Sequence, residues 1–134
     1  RDQDFVEEVR RATDGRGADV ILDNMGAKYL DRNVSALATE GRLVIIGMQG
    51  GVKGELNIGK LLTKRGAVIA TSLRSRPVAE KAAICAAVTE HVWPLLADGT
   101  VRTLVHATFP LEQAADAHAL MESGDHVGKI LLTA

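Results

Sequence analysis

A run of branched apolar residues that ends in glycine is a place where bare backbone can approach a ligand. This chain has one at GRLVIIGMQGG, residues 41–51, where Leu43 to Ile46 run into Gly47, Gly50 and Gly51. A dinucleotide phosphate cradle requires G-x-G-x-x-G: one glycine for the turn, one for approach of the pyrophosphate and one for helix packing. That spacing does not occur in the sequence. GELNIGKL, residues 54–61, matches G-x-x-x-x-G-K but puts Leu61 where a P-loop needs a magnesium-binding Ser or Thr, and no apolar strand leads directly into it. It is rejected as a phosphate site. Asn33-Val34-Ser35 has the spacing of a glycosylation acceptor but falls inside a predicted helix, and is also set aside. The only cysteine, Cys85, excludes an internal disulfide and a thiolate cluster. His91, His106, His118 and His126 share no metal-ligand spacing on one helix face, and are read as surface or packing residues.

The elements that would carry these residues alternate. Residues 4–13 place Phe5, Val6, Val9 and Ala12 on one helical face, and the DGRG of residues 14–17 stops that helix. Val20 to Leu22 form a short apolar run closed by Asp23, Asn24 and Gly26, which predicts a strand buried on both faces. An amphipathic helix follows, with Leu30, Val34 and Leu37 in register and Gly41 closing it. Leu43 to Ile46 are the second strand. A short helix in LNIGKLLTKRG and a third strand in AVIATSLR come next. Short connections in this order predict parallel strands joined by right-handed helical crossovers.

Residues from Pro77 onward read as a long helix with Ala83, Ile84, Ala87, Val88, Val92 and Trp93 on one side, interrupted at Pro94 and finished at Gly99. A strand in TLVHATFP, a helix with Leu111, Ala115, His118 and Met121 in one row, and a final strand in VGKILLTA complete the chain. The polar RSRP of residues 74–77 is the one candidate boundary.

In open α/β sheets, ligands bind beyond the carboxyl ends of the strands. Three such ends are Asp23 to Gly26, Gly47 to Gly51, and Thr71 to Arg74, all polar or glycine-rich. From the pattern, turn residues and ligand-facing residues remain equal alternatives. Composition narrows the partners. A net charge of −1, from 16 basic and 17 acidic residues, gives no footprint for nucleic acid or an anionic membrane. Apolar runs fall far short of the roughly 20 residues of a spanning helix, and no secretory signal is expected. With one cysteine, an intracellular, cytoplasmic location is the expectation. The start at Arg1, inside a charged helical pattern, suggests a piece of a longer protein.

GADVILDNMG, GRLVIIGMQGG, TSLRSRPVAEK and FPLEQAADAHALMESGDHVGKILLTA, in this order and spacing, resemble the second half of the medium-chain dehydrogenase/reductases. The likeness is nearest to their zinc-independent quinone oxidoreductase branch, related to zeta-crystallin. It implies an α/β fold in which residues 1–74 are the later half of a Rossmann nucleotide-binding domain, strands four to six. Residues 75–134 would be a segment returning to the catalytic domain. It implies NADPH as cofactor, no metal, and a quinone or enone as small-molecule substrate. Gly26 and Ala27, Ile46, Gly47, Met48 and Gln49, and Ser72, Leu73 and Arg74 would lie toward the nicotinamide, with Lys129 reaching the pyrophosphate. No catalytic residue is implied, and the phosphate-binding turn would lie outside this chain. The resemblance further implies a homodimer through the strand at 67–73, and an apolar edge on the first strand where a neighbour is missing. Two other readings stand beside it: a non-catalytic oligomerisation or binding module, and part of a zinc-type alcohol dehydrogenase.

Overall fold

The computed structural model describes residues 3–134, and its contacts divide the chain into two units, residues 1–76 and 77–134. In the first unit, helix α1 (Phe5–Ala12) precedes strand β1 (Ala18–Asp23). A single 3₁₀ turn (Gly26–Tyr29) leads into helix α2 (Leu30–Ala36), then strand β2 (Leu37–Ile45), helix α3 (Ile58–Lys64) and strand β3 (Ala67–Ala70). The three strands form one parallel sheet in the order β1-β2-β3, with Ile21 opposite Leu43 and Leu43 opposite Val68. The predicted α/β class and parallel alternation are therefore present.

The core of this unit is small and one-sided. Val34, Leu37 and Leu43 are fully buried, and Ile21, Leu30, Ile45, Leu61 and Val68 close around them from the sheet and from α2 and α3. Alternation does the rest: Val20 and Leu22, between the inward residues of β1, are 48% and 68% exposed. The expectation of a strand buried on both faces is thus corrected. An uninterrupted apolar run records which residues can be buried, not whether the chain provides a cover for each face.

A second correction concerns the helix predicted to reach Gly41. Helix α2 stops at Ala36, and Leu37 is already extended. Leu37 is as buried as the helical spacing requires, but as the first residue of β2. The segment turns at Glu40, whose φ is +63°, and at Gly41, where an added Cβ would meet the carbonyl oxygens of Ala18 and Ala38 at 2.9 Å. The end of α2 is held by the Lys64 ammonium, which donates to the Leu37 carbonyl. Asn33, the would-be glycosylation acceptor, is buried inside α2. The rejected P-loop match is a helix start: the Asn57 side chain caps α3 by accepting from the Lys60 amide at 2.9 Å, and Gly59 lies within the helix. Lys60 reaches the Asp31 carboxylate at 2.8 Å instead of a phosphate.

In the second unit, α4 (Val78–His91) gives way at Val92 to α5 (Trp93–Ala97), with Pro94 in the first turn of the new helix, as its missing N–H dictates. Strand β4 (Val105–Pro110) pairs in parallel with β5 (Lys129–Thr133), and helix α6 (Ala114–Ser123) connects them. The inward row of α6 runs through Ala114, Ala117 and Leu120, not through Leu111, Ala115, His118 and Met121. Leu111 begins a separate 3₁₀ turn (Leu111–Gln113), so the true helix starts later and in a different phase. The apolar residues proposed for one side of α4 are all solvent-accessible within this chain: Ile84, Val88 and Val92 are more than a third exposed.

Candidate functional site

The site grows from one carboxylate. Asp23, the last residue of β1, is 4% exposed. Its two oxygens accept from the amides of Met25 at 2.9 Å and Gly26 at 2.8 Å. Its carbonyl accepts from Ile46 at 2.7 Å and from Gly47 at 3.3 Å, at the end of the neighbouring strand. A single residue thus shapes its own turn and ties it to the next. The zipper continues from loop to loop: Gln49 donates to the Asn24 carbonyl at 3.1 Å, Gly50 to Met25 at 2.7 Å, and Ala27 to Gly51 at 3.1 Å.

The glycines of the opening motif have a concrete reason. A Cβ on Gly47 would lie 2.8 Å from the Asn24 carbonyl oxygen and 3.1 Å from its Cα, both backbone atoms that cannot swing aside. Gly26 has φ +72° and would meet the Gly51 carbonyl oxygen at 3.0 Å. These glycines let two loops pack backbone to backbone.

Beyond that packed seam lies a cleft of about 410 Å³ at the carboxyl ends of β2 and β3. Ile46, Gly47 and Met48 line one side, and Thr71, Ser72 and Leu73 the other, with Arg74 at its rim. Its walls are mainly the apolar side chains of Ile46, Met48 and Leu73, beside the hydroxyls of Thr71 and Ser72. The amides of Ile46, Gly47 and Thr71 already donate to carbonyls of the fold. Among the described residues no acceptor is found for the amides of Met48, Ser72 and Leu73, so these are the donors a ligand can use. Met48 and Leu73, 64% and 55% exposed, present large apolar surface at the same place. Gly26 and Ala27 line an adjoining hollow of about 270 Å³ that shares Ile45 and Met48 with the main cleft.

The structure therefore brings together six of the ten predicted residues in one cleft and two in the hollow beside it. Gln49 lines neither; its amide belongs to the loop seam. Lys129 begins β5 in the second unit, where its amide donates to Leu104 at 2.8 Å. Asp23 and Asn24, which the sequence pattern leaves evenly between turn formers and ligand-facing residues, bond the turns themselves here. The signal is present all the same: an Asp three residues before a Gly, directly after an apolar run, is the pattern of a carboxylate folding back on its own turn.

Comparison with known proteins bears on family and fold. The family model described as zinc-binding dehydrogenase matches residues 1–132. A phenolphthiocerol/phthiocerol polyketide synthase of Mycobacterium tuberculosis is 31% identical over 99% of this chain and 6% of its own length. The 2-haloacrylate reductase of a Burkholderia species is 29% identical over 97% of the chain, and the quinone oxidoreductase of Rattus norvegicus 26% over 98%. Each of these two is covered over 39% of its length, so the chain spans well under half of the curated relatives it matches. A solved NAD-dependent alcohol dehydrogenase superposes with a TM-score of 0.72 at 29% identity, covering 98% of this chain and 35% of that one. The matched model spans nearly every residue and the parallel sheet is the one its solved relatives share: the chain belongs to the zinc-binding dehydrogenase family of medium-chain dehydrogenase/reductases.

Proposed function

We propose that this chain is the nicotinamide-side part of an NADPH-dependent oxidoreductase that delivers hydride to a quinone or another conjugated double bond. The observation that carries the reading is the cleft between the loop after β2 and the end of β3, where apolar walls meet three backbone amides with no acceptor among the described residues. A flat aromatic ring with a carboxamide fits such a surface: its face against Ile46, Met48 and Leu73, its carbonyl within reach of an amide. The nicotinamide, when bound, supplies the hydride. The chain's own residues bind and orient the ring, and their aliphatic surface excludes water from it. The acceptor class is supported by the activities of two relatives, which are reductases of a 2-haloacrylate and of quinones.

Zinc, which the family's name invokes, finds no donor set among the described residues. Among the described residues no group of three or more His, Cys, Asp or Glu side chains converges, and Cys85 is exposed.

We also assign β3 as the edge through which two copies pair. It is an outer strand, and Ile69 is 45% exposed on it. The test of the function is an assay of the full product of the gene with NADPH and a panel of quinones and enones. Turnover that falls at least about tenfold in Leu73→Asp, which puts a charge into the cleft, supports the reading. No oxidation of NADPH or NADH with any acceptor overturns it.

A further inference from the structure

Two lysines stand about one turn apart on α3 and are held in opposite ways. Lys60 is paired: its ammonium meets both oxygens of Asp31, at 3.0 and 2.8 Å, and the Ser35 hydroxyl at 3.2 Å. Lys64 turns instead to the end of α2, where it donates to the Leu37 carbonyl. It is half-buried, and among the described residues no carboxylate pairs with it. The charge that acts on it is another cation, the Arg10 guanidinium in the last turn of α1. Arg10 is itself weakly neutralised, since Glu7 lies 3.5 Å away and both side chains are more than half exposed.

An ammonium needs water or a carboxylate to hold its charge. Lys64 has lost part of the first and lacks the second. Burial, first, and Arg10, second, hold it below the ordinary 10.5. The bond to Leu37 survives loss of a proton, because a neutral amine still donates through N–H and gains a free electron pair. Desolvation and a neighbouring cation are what make a lysine amine nucleophilic.

We propose that Lys64 is an acylation site, whose Nζ attacks the carbonyl carbon of an acyl thioester. The N–C bond forms as the C–S bond breaks, and the nitrogen's proton passes to the departing thiolate, which leaves as a thiol. The amide so formed keeps one N–H for the Leu37 carbonyl but carries no charge. Acylation therefore removes the cation from the last turn of α3, where a positive charge favours the helix end. The step uses no cofactor and no residue of the cleft, so it stands or falls apart from the reading of that site.

Competitive labelling of the 134-residue chain tests this, with acetyl-coenzyme A as the thioester and mass spectrometry reading each of its six lysines. At about pH 7.5 Lys64 takes at least about threefold more acetyl than Lys53, which lies exposed on a loop, and Lys60 takes less than either. The excess of Lys64 over Lys53 shrinks as pH rises toward about 11, where exposed amines lose their protons as well. It disappears in urea that unfolds the chain, since the fold creates it. Label on Lys64 no greater than on Lys53 overturns the proposal, because a half-buried anchor and nothing more would react the more slowly. An excess that is constant across the pH range, as accessibility alone would give, or that persists in urea, overturns it too.

Discussion

Asp23 is the residue on which the site most depends. Its carboxylate holds the buried Gly26 amide and the half-buried Met25 amide, and its carbonyl joins the end of β1 to the end of β2. Replacing it by Ala leaves two donors without an acceptor, at about 1–3 kcal/mol for each buried group left unmet. Asp23→Ala is expected to lower unfolding stability in urea by at least about 2 kcal/mol, with Asp23→Asn milder because one acceptor oxygen remains. Gly47→Ala tests the loop seam in the same way. Its Cβ collides with Asn24 backbone, so a loss of about 1–3 kcal/mol is expected from forced displacement. An unchanged denaturation midpoint for Gly47→Ala would show that the seam yields, and that the glycine is there for some other reason. These roles are only half legible in the sequence. The glycines advertise a place where backbone approaches something, but spacing along the chain does not say whether that is a ligand or another loop. Only the register of β1 against β2 brings Asn24 to Gly47.

At the scale of elements, helix α1 shows how a charge can be read through to stability. Asp4 caps it, its Oδ1 accepting from the Val6 amide at 2.9 Å and from Arg32 at 3.0 Å. The bond from Arg32, first, and that from Val6, second, hold its carboxyl below the ordinary 3.8. A depressed folded value means the contribution is fully present above the ordinary value and fades as pH falls through the lower one. Thermal denaturation of Asp4→Ala should therefore show a lower Tm than the parent at neutral pH, and the difference should close as both are acidified from the ordinary 3.8 downward. A difference that persists in acid would contradict the cap. Strand β3 is the second element with a testable consequence. If it is the pairing edge, sedimentation shows a dimer, and Ile69→Lys, a charge of the kind that protects edges, weakens association by at least about tenfold. A parent chain that sediments as a monomer would count against the assignment. Element identity is largely readable from periodicity: the helices and strands of the first unit follow the predicted order. Boundaries are not, because Leu37 satisfies a helical row and a strand equally well. The phase of α6 escapes periodicity for a related reason, since a 3₁₀ turn at Leu111 shifts every later residue on the wheel.

The whole molecule consists of two units, each with its own parallel strands, and the chain spans well under half the length of its curated relatives. The first unit offers a cleft at the carboxyl ends of β2 and β3 and an open strand edge at β1. This division has a binding consequence. Residues 1–134 alone should bind NADPH weakly or not at all in calorimetry, because no glycine fingerprint for the pyrophosphate occurs in them; micromolar affinity would show the site to be complete already. The central claim is that the nicotinamide ring lies in the cleft between Ile46–Met48 and Ser72–Arg74. Its most direct test is the amide NMR spectrum of the full product of the gene titrated with NADPH, and separately with 2′,5′-ADP, which lacks the nicotinamide. The predicted result is that the amides of Met48, Ser72 and Leu73 shift with NADPH and stay in place with 2′,5′-ADP. No shift at these three amides, or the same shift with both ligands, would contradict it.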